Sequence, residues 1–136
     1  MLFKIILAEP AKLDDAKRSF EAGQLLKHDS DNILDSVADG LKTTLGRNTW
    51  PIVRDLVDDI YTVTEDEILK ATKIVWERLK VCIEPSAGVG VAVAMGPDFN
   101  RKYSPASGVH NVAIVLCGGN VDILKMAKRM EDVGLR

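Results

Sequence analysis

Asp59-Ile60-Tyr61-Thr62-Val63-Thr64-Glu65-Asp66-Glu67-Ile68 is the stretch whose reading decides the fold. Its first half, Asp59–Val63, is short and rich in β-branched and aromatic residues, which predicts a strand. Thr64 followed three residues later by Glu67 has the spacing of a capping box. The threonine hydroxyl can accept a backbone N–H, the glutamate can reach back, and the acidic first turn complements the helix dipole. A helix should therefore follow. Ile68, Ala71, Val75, Leu79 and Cys82 recur at intervals of three and four, giving it one core-facing stripe.

Downstream, Pro85 opens a helical segment unusually rich in small residues: Ala87, Gly88, Gly90, Ala92 and Ala94. Each glycine costs a helix interior about 0.5–1 kcal/mol relative to alanine, so close backbone packing against a neighbour or ligand is the expected compensation. Val112–Leu116 reads as the clearest strand, apolar on both faces as in the centre of a parallel sheet. It runs into Cys117-Gly118-Gly119-Asn120 and then a helix, with Ile123, Leu124, Ala127, Met130 and Val133 inward and Gly134 after it.

Upstream, Thr49-Trp50-Pro51 marks another helix start, with Ile52, Val53, Leu56 and Val57 at helical spacing. His28–Asp39 is polar, Asp-rich and without a clear period, which predicts a long surface loop. Leu13–Leu26 carries a helical pattern, and Phe3–Leu7 reads as a buried strand opening into a loop at Ala8-Glu9-Pro10. Strands alternating with helices predict an α/β fold, a three-layer sandwich with a mainly parallel sheet. Ligands in such folds gather beyond the C-terminal ends of the strands.

The chain of 136 residues has the size of one domain, with no internal repeat. Eighteen Lys and Arg against twenty Asp and Glu provide no basic field for nucleic acid. No apolar run approaches the roughly 18–20 residues a membrane span requires, so neither nucleic acid nor membrane is an expected partner. The apolar opening meets Glu9-Pro10 too soon for a secretory signal. Two cysteines, Cys82 and Cys117, make no disulfide framework and are expected as buried or ligand-facing thiols in a reducing, cytoplasmic setting.

Three constellations could carry chemistry. Glu9, Asp14 and Asp15 place carboxylates around a strand end and helix start, the oxygen-rich set that Mg²⁺ or Ca²⁺ prefers; the plainer reading is a solvated acidic helix N-terminus. Cys117-Gly118-Gly119-Asn120 would let a ligand approach the backbone at a strand end, or would form a tight turn with a small buried thiol. Glu84 precedes the small-residue helix and could simply cap it. Gly88-Val89-Gly90 fails as a dinucleotide fingerprint, because Val93 stands where the third glycine belongs. His28 and His110 lie in no Cys/His spacing, which disfavours zinc. Trp50, Trp76, Met126 and Met130 fit helix packing and core filling.

Four stretches together resemble the serine racemase and serine/threonine dehydratase family of fold type II pyridoxal-phosphate enzymes. They are Ala38-Asp39-Gly40 through Asn48-Thr49-Trp50-Pro51 to Arg54-Asp55-Leu56-Val57-Asp58-Asp59; Thr62 to Ile68; Val75-Trp76-Glu77-Arg78 through Ile83-Glu84-Pro85 to Gly88-Val89-Gly90; and Ile114 to Asp122. The Trp-Pro and Val-Thr-Glu-Asp-Glu runs favour the racemase branch. The resemblance runs from about Lys4 to Asp122 and implies the tryptophan synthase beta-like fold in incomplete form. Residues 1–136 are then one partial domain, the C-terminal portion of the family's large domain.

The same resemblance implies that the Schiff-base lysine and the serine on the opposite ring face lie outside this chain, so no residue here is expected to be catalytic. It assigns a Mg²⁺ site, also suited to Ca²⁺ or Mn²⁺, to Glu9, the main-chain carbonyl of Leu13, and Asp15. Cys117 falls where the family contacts the pyridine nitrogen of pyridoxal 5'-phosphate, with Glu84 and Asp39 in support. Lys80 and Asn120 match positions that contact ATP, an allosteric effector, at a homodimer interface. The implied activity is interconversion of L- and D-serine with elimination of water from L-serine or L-threonine, the chain alone being inactive. The alternative is a non-catalytic remnant that binds metal or nucleotide or associates with a full-length subunit. A longer loop between Gly23 and Asp39 and a tail after Asp122 depart from the family pattern.

Overall fold

The computed structural model describes residues 3–28 and 35–135. Two strands, β1 (Ile6–Pro10) and β2 (Asp59–Val63), pair in parallel, with Ile6 opposite Asp59 and Pro10 opposite Val63. Between them run α1 (Asp15–Ala22) and α2 (Trp50–Leu56); after them come α3 (Glu65–Ile74), α4 (Pro85–Met95), α5 (Pro97–Lys102) and α6 (Ile123–Asp132).

Side-chain alternation along the strands sorts these helices into layers. Leu7 and Ile60 point to one face and pack with Ala16 of α1 and Trp50 and Val53 of α2. Ile6, Ala8, Tyr61 and Val63 point to the other and pack with Ile68, Ala71, Val89, Val93 and Phe99. The result is the expected three-layer α/β sandwich on a parallel sheet.

The deciding stretch folds as read. Glu67 N donates to Thr64 Oγ1 at 3.3 Å, and Thr64 N donates to Glu67 Oε2 at 2.7 Å, completing the capping box. The small residues of α4 also meet their expected use. A Cβ on Gly88 would overlap Thr72 Oγ1, which is itself held on the Ile68 carbonyl at 2.8 Å, so α3 and α4 touch through this glycine.

Several expectations are corrected. The first strand begins at Ile6 rather than Phe3, because the ladder starts opposite Asp59, and Phe3 is exposed. Helix α3 ends at Ile74 and continues as a π turn over Val75–Leu79, closed by Lys80 at φ 59°. The wider turn rotates the stripe away from the core, leaving Leu79 and Cys82 exposed. The Trp76 indole N–H pins this turn to the Ile83 carbonyl at 2.8 Å.

Val112–Leu116 is no strand: it has no ladder partner among the described residues, and Val115 is 79 % exposed. Cys117 is likewise exposed, not buried. Helix α6 turns Met126 and Met130 inward, while Ile123, Leu124, Ala127 and Val133 face out. Part of the loop expected over His28–Asp39 lies outside the described residues, at 29–34.

Candidate functional site

Two clusters form where the sequence placed candidate ligands. At the end of β1, Glu9 reaches over the start of α1 and accepts the N–H of Ala16 at 3.2 Å and of Lys17 at 2.9 Å. Asp14, the residue before α1, makes no side-chain cap, so Glu9 caps the helix from the strand. Asp14 instead accepts from Arg18 Nε at 2.8 Å, turned away from Glu9's task. Asp15 is buried and accepts the Leu45 N–H at 2.7 Å.

Glu9, Leu13 and Asp15 line one cleft of about 340 Å³. Burial raises the Glu9 pKa to about 7; the Lys17 N–H opposes the rise, and the charges of Asp15 and Asp14 add to it. Two carboxylates that repel each other in a sheltered cleft beside a main-chain carbonyl suit a hard divalent cation. Among the described residues no three His, Cys, Asp or Glu side chains already converge on one point, so a cation would complete its shell from the Leu13 carbonyl and water. His28, absent from the ligand expectation, packs against Asp15 with Nε2 3.2 Å from Oδ1. Its spacing of thirteen residues from Asp15 belongs to no motif, so sequence reading had no signal for it.

The second cluster surrounds the start of α4. Glu84 stands immediately before the helix; its N–H donates to the Gly118 carbonyl at 2.9 Å, and a Cβ on Gly118 would fall on its carboxylate. A Cβ on Gly119 would press on the Cys82 carbonyl at 2.9 Å. The paired glycines thus let the 117–120 segment lie against residues 82–84, and Cys117 follows Glu84 to this corner.

Asp39 precedes Gly40, whose backbone ties this segment to α4. The Gly40 N–H donates to Ser86 Oγ at 3.1 Å, while Glu65 holds the preceding loop by accepting Ser36 Oγ at 3.0 Å and the Val37 N–H at 2.6 Å. Ser86 and Glu65 are positioning residues that sequence reading missed, because their partners are more than 25 residues away. Asp39, Pro85 and Asn120 share a cleft of about 170 Å³ with Lys125 and Arg129 of α6. Lys80 sits apart, at the exposed end of the π turn. Asp39 and Asn120 thus share one cleft beside the start of α4, while Glu84 stands at that start against Gly118, next in sequence to the exposed thiol of Cys117. A thiol, a carboxylate and glycine-rich backbone at a helix start are groups chemically suited to a pyridoxal cofactor.

The chain belongs to the pyridoxal-phosphate dependent enzyme family, whose model matches residues 2–118. Within that class it is similar to serine racemases and to threonine deaminases, among others. It is 52 % identical over 122 residues to serine racemase from Homo sapiens, covering 88 % of this chain and 34 % of that protein. The structure of maize serine racemase superposes with a TM-score of 0.81 at 38 % identity, over 96 % of this chain and 38 % of that one. Threonine deaminase isoform 2 from Solanum lycopersicum, in its processed form, superposes with a TM-score of 0.74 at 29 % identity, over 98 % of this chain and 35 % of that one. The chain spans about a third of the length of the curated relatives it matches. Among the described residues no helix is long and apolar enough to cross a membrane.

Proposed function

We propose that this chain is the cofactor-facing C-terminal portion of a serine racemase or serine/threonine ammonia-lyase, acting on L-serine, D-serine and L-threonine. The observation that carries the reading is the packing of the glycine-rich 117–120 segment against Glu84 at the start of α4, beside a cleft lined by Asp39 and Asn120. When bound, pyridoxal phosphate supplies the electron sink that acidifies the Cα proton of an amino acid. Cys117 would hold its pyridine nitrogen, with Glu84 and Asp39 in support. Glu9, the Leu13 carbonyl and Asp15 hold Mg²⁺, or Ca²⁺ or Mn²⁺ in its place. Lys80 and Asn120 contact ATP at the face of a homodimer, and the enzyme is cytoplasmic.

No lysine of this chain takes the Schiff-base role in this reading, so the chain alone turns over no serine. The test combines two ligands on the intact chain. Mg²⁺ should raise its melting temperature, with the rise abolished in Asp15→Ala, and pyridoxal phosphate should bind with an affinity that Glu84→Ala weakens. Absence of both responses would sink the reading.

A second reading, association with a full-length subunit as a non-catalytic partner, is favoured by one observation. Val112, Ile114, Val115 and Leu116 are exposed with no strand beside them among the described residues. Co-elution with a full-length serine racemase, lost in Val115→Lys, would support it.

A further inference from the structure

The cleft of about 170 Å³ beside the start of α4 carries basic groups that the reading above leaves unused. Lys125 and Arg129 of α6 line it, together with Lys42 and Asn120. Burial of Met126 and Met130 in the core fixes how α6 is turned. Lys125 and Arg129 each precede one of these methionines, so they stand one helical turn apart beside the anchored stripe, and both are exposed. Neither side chain forms an ion pair or hydrogen bond among the described residues. Two of the carboxylates near them are already committed. Asp122 caps α6 by accepting the Lys125 N–H at 3.0 Å, and Asp35, on which the Arg129 charge acts, is paired with Lys12. Asp39 is the remaining carboxylate on the lining.

We propose that this cleft is a site for a phosphate chain, in which Lys125 and Arg129 take neighbouring phosphate groups of a ligand that also meets Asn120. The assignment rests on the nucleotide reading of Asn120 given above and goes beyond it by naming the cations. Two cations a turn apart call for two anionic groups at similar spacing, and a monocarboxylate engages only one of them. Charge-assisted N–H donors to phosphate oxygen are the strong kind, and the Arg129 guanidinium can present its fork to two oxygens at once. Lys80, at the end of the π turn, does not line this cleft. The Asp39 charge opposes an anion here, which sets the sign of one arm of the test.

The experiment titrates the full 136-residue chain with inorganic triphosphate or ATP, in metal-free buffer, by calorimetry. The expected result is binding that the double variant Lys125→Ala/Arg129→Ala weakens at least about tenfold, the scale of losing two charge-assisted contacts. Because both side chains are exposed, this variant should keep the fold, and Lys125→Arg/Arg129→Lys should bind within about threefold of wild type. Asp39→Asn should tighten binding roughly two- to fivefold by removing the opposing charge. ATP binding tighter than inorganic triphosphate supports the site with a nucleotide as its ligand, and equal binding supports it with the phosphate chain as the whole ligand. ATP binding that the double alanine variant leaves unchanged overturns this inference and leaves the nucleotide reading standing. No binding of either probe to wild type overturns both.

Discussion

Two runs of five residues, Asp59–Val63 and Val112–Leu116, make an instructive pair. The second is the more apolar and, by pattern alone, the better strand. Yet Asp59–Val63 is the one that forms a strand, paired to β1 along its whole length. The other lies exposed, tied by the Glu84–Gly118 hydrogen bond just beyond it and by Ile114 resting near Gly90. Strand propensity describes a fit to a pleated, half-buried surface, so a run without a neighbour realises none of it. Asp59–Val63 has β1 beside it, α1 and α2 beneath, and α3 and α4 above.

The sharpest way to break this contrast is to hollow out each region. Ile68→Ala, in α3 above β2, should cost about 2–5 kcal/mol in urea unfolding, since Ile68 is fully buried. Val115→Ala should stay within about 0.5 kcal/mol. Equal losses would erase the distinction.

Packing of the two helices above the sheet gives the next largest effect. Gly88→Ala should destabilise by about 1–3 kcal/mol through overlap with Thr72, despite alanine's better helix propensity. Adding Thr72→Ala should recover part of that loss, and strict additivity of the pair would show that the contact is not the cause.

Glu9 extends the comparison to charge. Its pKa is raised on folding from 4.5 to about 7, so the folded chain holds this proton more tightly than the unfolded one. Its contribution to stability is full below about pH 4.5, declines as pH rises, and is lost above about 7. Partial screening brings the decline to roughly 1–2 kcal/mol. Denaturant midpoints across this window should slope in wild type and flatten in Glu9→Gln. The smallest effect is expected at the cap: Thr64→Ala should cost about 1 kcal/mol, read from the same unfolding curves.

Sequence reading reaches what is encoded locally. The capping box and the proline-led starts of α2 and α4 are set by residues within a few positions of one another. It falls short where distant parts decide. The inward face of α6 escapes it because Ile123, Leu124, Met126 and Met130 offer two apolar faces, and only packing against the distant core selects the methionines. The π turn after Ile74 and the exposure of Cys82 have no local signature either. Of the candidate sites, the ligand types were legible but not their company. Glu9 caps α1, Glu65 anchors the approach to Asp39, and His28 sits on Asp15, each through a contact that no spacing announces.

Amide hydrogen exchange on the chain, resolved by residue, tests the central contrast most directly. The alternate amides of Asp59–Val63 that donate to β1 should be protected, with exchange slowed by about three orders of magnitude or more, while Val112–Leu116 should exchange at nearly the rate of an unfolded peptide. Comparable protection of the two runs would contradict it, showing that Val112–Leu116 carries its own backbone pairing.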